Sequence, residues 1–63
     1  MRLDDWLAIN STSRSEFAVK IGATDIAVGR YVTGLRLPNR EAMRRIYQAT
    51  AGEVMPNDFY ELQ

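Results

Sequence analysis

A single residue separates a helix-stopping glycine, Gly22, from a helix-starting threonine, Thr24. Upstream, Ser13-Arg14-Ser15-Glu16 reads as a capping box, with Ser13 as the N-cap and Glu16 reaching back to it. Phe17, Ala18 and Ile21 then line one face of a helix that Gly22 ends, because glycine takes the left-handed conformation without a Cβ clash. Thr24 caps the next helix, and Asp25 complements its first turn. Val28, Tyr31 and Val32 repeat at i, i+3 and i+4, and Gly34 closes it. So short a joint forces the second helix to cross the first steeply. Ala18 keeps the crossing close, Gly22 supplies the sharp turn, and Val28 and Tyr31 plug the second helix into the core. Its opposite flank is left to solvent. The unit spans about residues 14–33, with its second helix over 25–33.

The rest of the chain is also helical in its spacing. Leu3, Trp6 and Leu7 fall on one helix face, and Trp6 reads as core. Residues 10–13 form a polar break. Leu35-Arg36-Leu37-Pro38 reads as extended, since proline biases the preceding residue away from helical dihedrals. One of the two leucines is expected to turn inward as a plug and the other to be exposed, at a subunit contact. Asn39 caps a fourth helix through about Ala51, with Met43, Ile46 and Tyr47 inward and Arg44 and Arg45 on a solvated face. Gly52 closes it. The tail, 53–63, leaves two options: an extended segment from Val54, or a short helical turn opened by Pro56 with Phe59 folded back on the core. The expectation is an all-α domain over residues 1–63, with four to five short helices.

Composition excludes several classes of function. Sixty-three residues hold one small core, and only about 60% of the unfolded surface is hidden at this size. There is no cysteine and no histidine. That removes disulfides, thiolate metal sites and the commonest general base and titrating switch. No phosphate-cradling glycine loop is present, and Asp4 and Asp5 diverge around a helix. An enzyme is not expected, nor a cofactor, a metal or a small-molecule ligand. No apolar run approaches the roughly 18 residues of a membrane span, and the start lacks a signal-peptide pattern, so a cytoplasmic protein is expected.

The net charge is zero, but its distribution is uneven. Arg14 to Arg45 carries seven basic and three acidic residues, a net +4, between ends of −1 and −3. A basic middle fits a face meant for an anion. An ordinary mixed-charge helical surface fits it too.

Two short helices locked this way are a helix-turn-helix, whose second helix enters the DNA major groove. The stretch from Ser13 to Thr24, running on to Gly34 and Pro38, resembles the helix-turn-helix of phage Cro and repressor proteins and the wider XRE-like class of bacterial regulators. Asp5-Trp6-Leu7 before it, and Gly52-Glu53-Val54 and Pro56-Asn57-Asp58-Phe59 after it, resemble the flanks of small Cro-like phage or prophage regulators. The resemblance implies a lambda-repressor-like DNA-binding fold in the bacterial cytosol or nucleoid. It places base reading on Thr24, Asp25, Ile26, Gly29 and Arg30. Arg14 stands where the family usually has a glutamine that contacts phosphate and braces the recognition helix, and as an arginine it is a phosphate candidate through a charged donor. Arg36, Asn39 and Arg40 match the family's grip on the DNA backbone, and Lys20 joins them as a phosphate candidate. One such helix reads only a few base pairs, so a homodimer on double-stranded DNA is expected. Val54, Met55, Phe59, Tyr60 and Leu62 are the candidates for its subunit contact.

Several roles stay open in the residues themselves. Asp25 can accept from a cytosine amino group or complement the helix dipole. Ile26 can touch a thymine methyl, or lie half-buried against Phe17 or a partner protein. Gly29 permits close backbone approach at the expense of helix propensity. Arg30 can take guanine through a bidentate contact or hold a phosphate. A protein-interaction module on the same fold (an antirepressor, antitoxin or adaptor) is the competing function, favoured by the neutral charge, by Asp25 and by the apolar Ile26, Leu35 and Leu37.

Overall fold

The computed structural model describes residues 1–60. Five helices follow one another: α1 (Leu3–Ile9), α2 (Arg14–Ile21), α3 (Asp25–Thr33), α4 (Arg40–Ala49) and α5 (Pro56–Tyr60). The fold is all-α, and no strand occurs among the described residues. Each internal helix begins on a side-chain cap that satisfies a backbone N–H left over at a helix start. Ser13 Oγ accepts from Glu16 N–H at 3.0 Å, Thr24 Oγ1 from Ala27 N–H at 3.1 Å, and Asn39 Oδ1 from Ala42 N–H at 2.8 Å. The reciprocal half of the capping box is present as well, with Ser13 N–H donating to Glu16 Oε1 at 3.0 Å.

One apolar cluster holds the helices together. Leu3, Trp6 and Leu7 of α1, Phe17, Ala18 and Ile21 of α2, and Val28, Tyr31 and Val32 of α3 all enter it. The Trp6 and Phe17 rings meet tilted at 59°, centroids 5.5 Å apart, a favourable edge-on geometry. The tail takes the second of its two options. Pro56 opens α5, Phe59 packs into the core, and Val54 is buried without forming a strand. The N-terminus secures this tail: the Met1 ammonium donates to Glu53 O and to Asp58 Oδ2, each at 2.9 Å. Asp58 Oδ2 also accepts from Met55 N–H at 2.9 Å. These contacts, the backbone donor first, hold the Asp58 carboxyl below the usual carboxylate range.

Three expectations are corrected. Tyr47 is not core: it is 46% exposed, and its ring lies over Gly52, where an added Cβ would stand 3.2 Å from it. The inward stripe of α4 instead runs through Ala42, Ile46, Ala49 and Thr50, with Met43 half-buried at its margin. Ile46 points to the centre, and one residue on, about 100° around the helix, Tyr47 reaches the flank. Second, α4 ends at Ala49 with Thr50 as its cap, rather than near Ala51. Ala51 (φ 54°) and Gly52 (φ 82°) both take the left-handed region and turn the chain away. Third, neither leucine of the 35–38 connection is a plug. Leu35 is 80% exposed and Leu37 is also exposed, while Pro38 is buried.

Candidate nucleic-acid interface

The α2–α3 joint has the geometry its residues call for. Gly22 takes φ +67°, and Ala23 N–H donates to Ala18 O at 2.9 Å while Gly22 N–H donates to Val19 O at 3.3 Å. These are the paired bonds of a Schellman turn. Arg45 Nη1, reaching from α4, donates to Ile21 O at 3.2 Å and so caps the end of α2 from outside. Ala18 is buried at the crossing, and Val28, with no exposed surface, anchors α3 beside Tyr31. α2 and α3 pack against each other across this turn, as in a helix-turn-helix.

Anchoring on Val28, Tyr31 and Val32 turns the other side of α3 outward. Ile26, Gly29, Arg30 and Thr33 share that side at helical spacing. Together with Asp25, with Ser13, Arg14 and Ser15 at the start of α2, and with Leu35, they line an open groove of about 610 Å³. No lining residue comes from the described tail. Two guanidiniums, Arg14 and Arg30, are exposed here, and neither forms an ion pair among the described residues. Arg14 lies over α3: a Cβ built on Gly29 would stand 3.3 Å from Arg14 Nη1.

The groove's one carboxylate is partly engaged. Asp25 Oδ1 accepts from Ile26 N–H at 2.9 Å, the position that complements a helix N-terminus. Thr24 is held by its cap bond, and Thr33 Oγ1 donates to Gly29 O at 3.0 Å. Ile26 is 64% exposed, so it does not rest half-buried against Phe17. Glu16 sits just outside the groove. Its carboxyl lies below the usual carboxylate range, first through the Ser13 backbone donor, then the Ser13 hydroxyl, with Lys20 adding charge.

Of the sequence-derived site residues, the groove gathers Arg14, Asp25, Ile26, Gly29 and Arg30. Thr24, Lys20 and Arg36 are exposed but do not line it. Asn39 borders a separate hollow with Gly22, Ala23 and Arg45. Arg40 borders a third, apolar hollow with Met43, Tyr47 and Tyr60. Arg44 and Arg45 lie on a solvated face and share Glu41, at 2.6 and 3.1 Å, which holds the Glu41 carboxyl low. The subunit-contact set is corrected by burial. Val54 and Phe59 are 1% and 2% exposed and belong to the core, while Met55 and Tyr60 face outward. Leu62 lies outside the described residues.

Sequence reasoning missed Ser13, Ser15, Thr33 and Leu35 as groove residues. Thr33 was within reach of the helical period, standing four residues after Gly29 and three after Arg30. Ser13 and Ser15 are brought in only by the crossing of α2 over α3. Among the described residues no helix is long and apolar enough to cross a membrane, and no three metal-ligating side chains cluster. No family model, curated protein or solved structure matches the chain.

Proposed function

We propose that the chain is a sequence-specific double-stranded DNA-binding transcription regulator that lays α3 in the major groove. The observation that carries this reading is the open outer face of α3, with Arg30 on it, opposite the buried Val28 and Tyr31. A helix held by one side and bare on the other is what groove insertion requires. Guanine offers N7 and O6 to a guanidinium fork, and Arg30 supplies that fork. Ile26 meets a thymine methyl. Asp25 serves the start of its own helix, as its bond to Ile26 N–H favours. Lys20, Arg36, Asn39 and Arg40 dock on phosphates around this helix. Two copies bind half-sites about 34 Å apart, with Met55, Tyr60 and the exposed Tyr47 as the surface for the subunit contact. Occupying a promoter then represses by exclusion, or activates where the bound protein touches polymerase.

Selection of bound sites from random duplexes, followed by a salt titration on the winner, tests the reading. Affinity should fall with a log–log slope of about −0.9 per phosphate neutralised. Arg30→Ala should weaken the selected site by about 1–3 kcal/mol and relax preference at one base pair. A variant that loses affinity equally for every sequence would make Arg30 a phosphate clamp. The second reading, a protein-interaction module, is favoured by the apolar Ile26 and Leu35 in the same groove. Failure to select any duplex, with salt-insensitive capture of a protein partner through those two residues, would establish it instead.

A further inference from the structure

Two residues that lie side by side in the groove are each locally unfavourable. Gly29 lies inside the nine-residue α3, where glycine weakens a helix. Its backbone does not demand glycine, since it is absent from the positive-φ residues. Arg14 is the first residue of α2, where a cation opposes the positive end of the helix dipole. No carboxylate pairs with Arg14 among the described residues. A Cβ at position 29 would come within 3.3 Å of Arg14 Nη1, the far end of a flexible side chain that need give only a few tenths of an ångström, so the glycine lets the guanidinium lie closer across α3 without being required for it.

Resting on the DNA-binding reading, we infer that Arg14 is a base-reading residue: it crosses Gly29 into the groove that Arg30 lines, and the two guanidiniums take two neighbouring guanines. Position 29 is central on the face of α3 that would enter the DNA, so a group lying over it meets base edges rather than the flanking phosphates. Two cations lining one groove repel each other unless acceptors face both. Adjacent guanines present two such pairs of acceptors, N7 and O6 on each base. The half-site therefore carries two adjacent G·C pairs, one read from each helix.

Site selection with the wild-type chain, Arg14→Ala, Arg14→Lys, Gly29→Ala and Arg30→Ala, at one stated salt concentration, tests this. The wild type should select both guanines, and 7-deazaguanine at either position should weaken its binding. Arg14→Ala should lose about tenfold to hundredfold discrimination at one position, and Arg30→Ala at the other. The salt slope of Arg14→Ala should stay that of the wild type. Arg14→Lys, a cation without a fork, should not restore the preference. Gly29→Ala, which displaces the guanidinium by only a few tenths of an ångström, should weaken the preference at the Arg14 position less than Arg14→Ala does, while keeping its helical circular dichroism. If Arg14→Ala weakens all duplexes equally and reduces the salt slope by about one, Arg14 is a phosphate clamp and the inference fails while DNA binding stands. A wild type that selects no duplex overturns the DNA-binding reading itself, and this inference with it.

Discussion

Thr50→Val removes one oxygen from the core and keeps the side-chain shape. Thr50 is 2% exposed and is the buried polar residue of the core. Its hydroxyl donates to Ile46 O at 2.8 Å and accepts from Val54 N–H at 3.1 Å, joining the end of α4 to the tail. Losing the donor matters little, because Ile46 O still accepts from Thr50 N–H at 3.0 Å. Losing the acceptor matters more: Val54 is buried, and its N–H would be left without a partner, which costs about 1–3 kcal/mol. Replacing the hydroxyl by a buried methyl returns about 0.8 kcal/mol. The net expectation is a destabilisation of about 0.2–2 kcal/mol. For a domain of this size that corresponds to a melting temperature about 1–16 °C lower. Urea unfolding followed by circular dichroism reads it directly, and amide exchange at Val54 should accelerate more than at Val28. A Thr50→Val protein as stable as the wild type would refute the reasoning. It would mean that Val54 N–H finds another acceptor or water.

Other expectations follow from the turn and from the carboxylates. Gly22→Ala forces a Cβ into the left-handed region and to within 2.8 Å of Arg45 Nη1. The guanidinium can swing away but gives up its bond to Ile21 O, so a loss of about 1–2 kcal/mol is expected. Part of that loss should vanish in an Arg45→Ala background, and strict additivity in a double-mutant cycle would deny the contact. Glu16, Glu41 and Asp58 are all held below their ordinary values by hydrogen bonds to Ser13, Arg44 and Met55 respectively. Their stabilisation is complete above the unfolded carboxylate range, about pH 4, and is lost as pH falls through the lower folded values. Acid titration of stability should show that limb, and Glu16→Gln should make it shallower. An unchanged acid limb would remove Glu16 from the account.

The helix inventory was legible in local chemistry. Ser13, Thr24 and Asn39 cap the helices as their side chains suggest, because an N-cap needs only its own next turn. Val28 and Tyr31 face inward for a similar reason: the 3.6-residue period fixes which residues share a face. In α4 the same period left a choice, since Met43, Ile46 and Tyr47 and the set Ala42, Ile46, Ala49 and Thr50 both fit a helical stripe. Larger side chains favoured the first on paper. Ile46 enters the common core and is fully buried, while Tyr47 stays on the flank.

The groove divides the same way. The order of Asp25, Ile26, Gly29 and Arg30 along one side of α3 is a property of the sequence, as is the sharp turn at Gly22. The placement of Arg14 over Gly29, and the arrival of Ser13, Ser15 and Leu35 beside it, are not. They depend on how α2 comes to rest against α3, with Gly22 turning the chain and Ala18 buried between them. Val54 and Phe59 were drawn into the core by the same long-range packing, leaving Met55 and Tyr60 outside. Capping and periodicity act within a turn or two of helix and so can be read from the chain. Contacts between residues far apart in sequence are chosen only when the whole core closes.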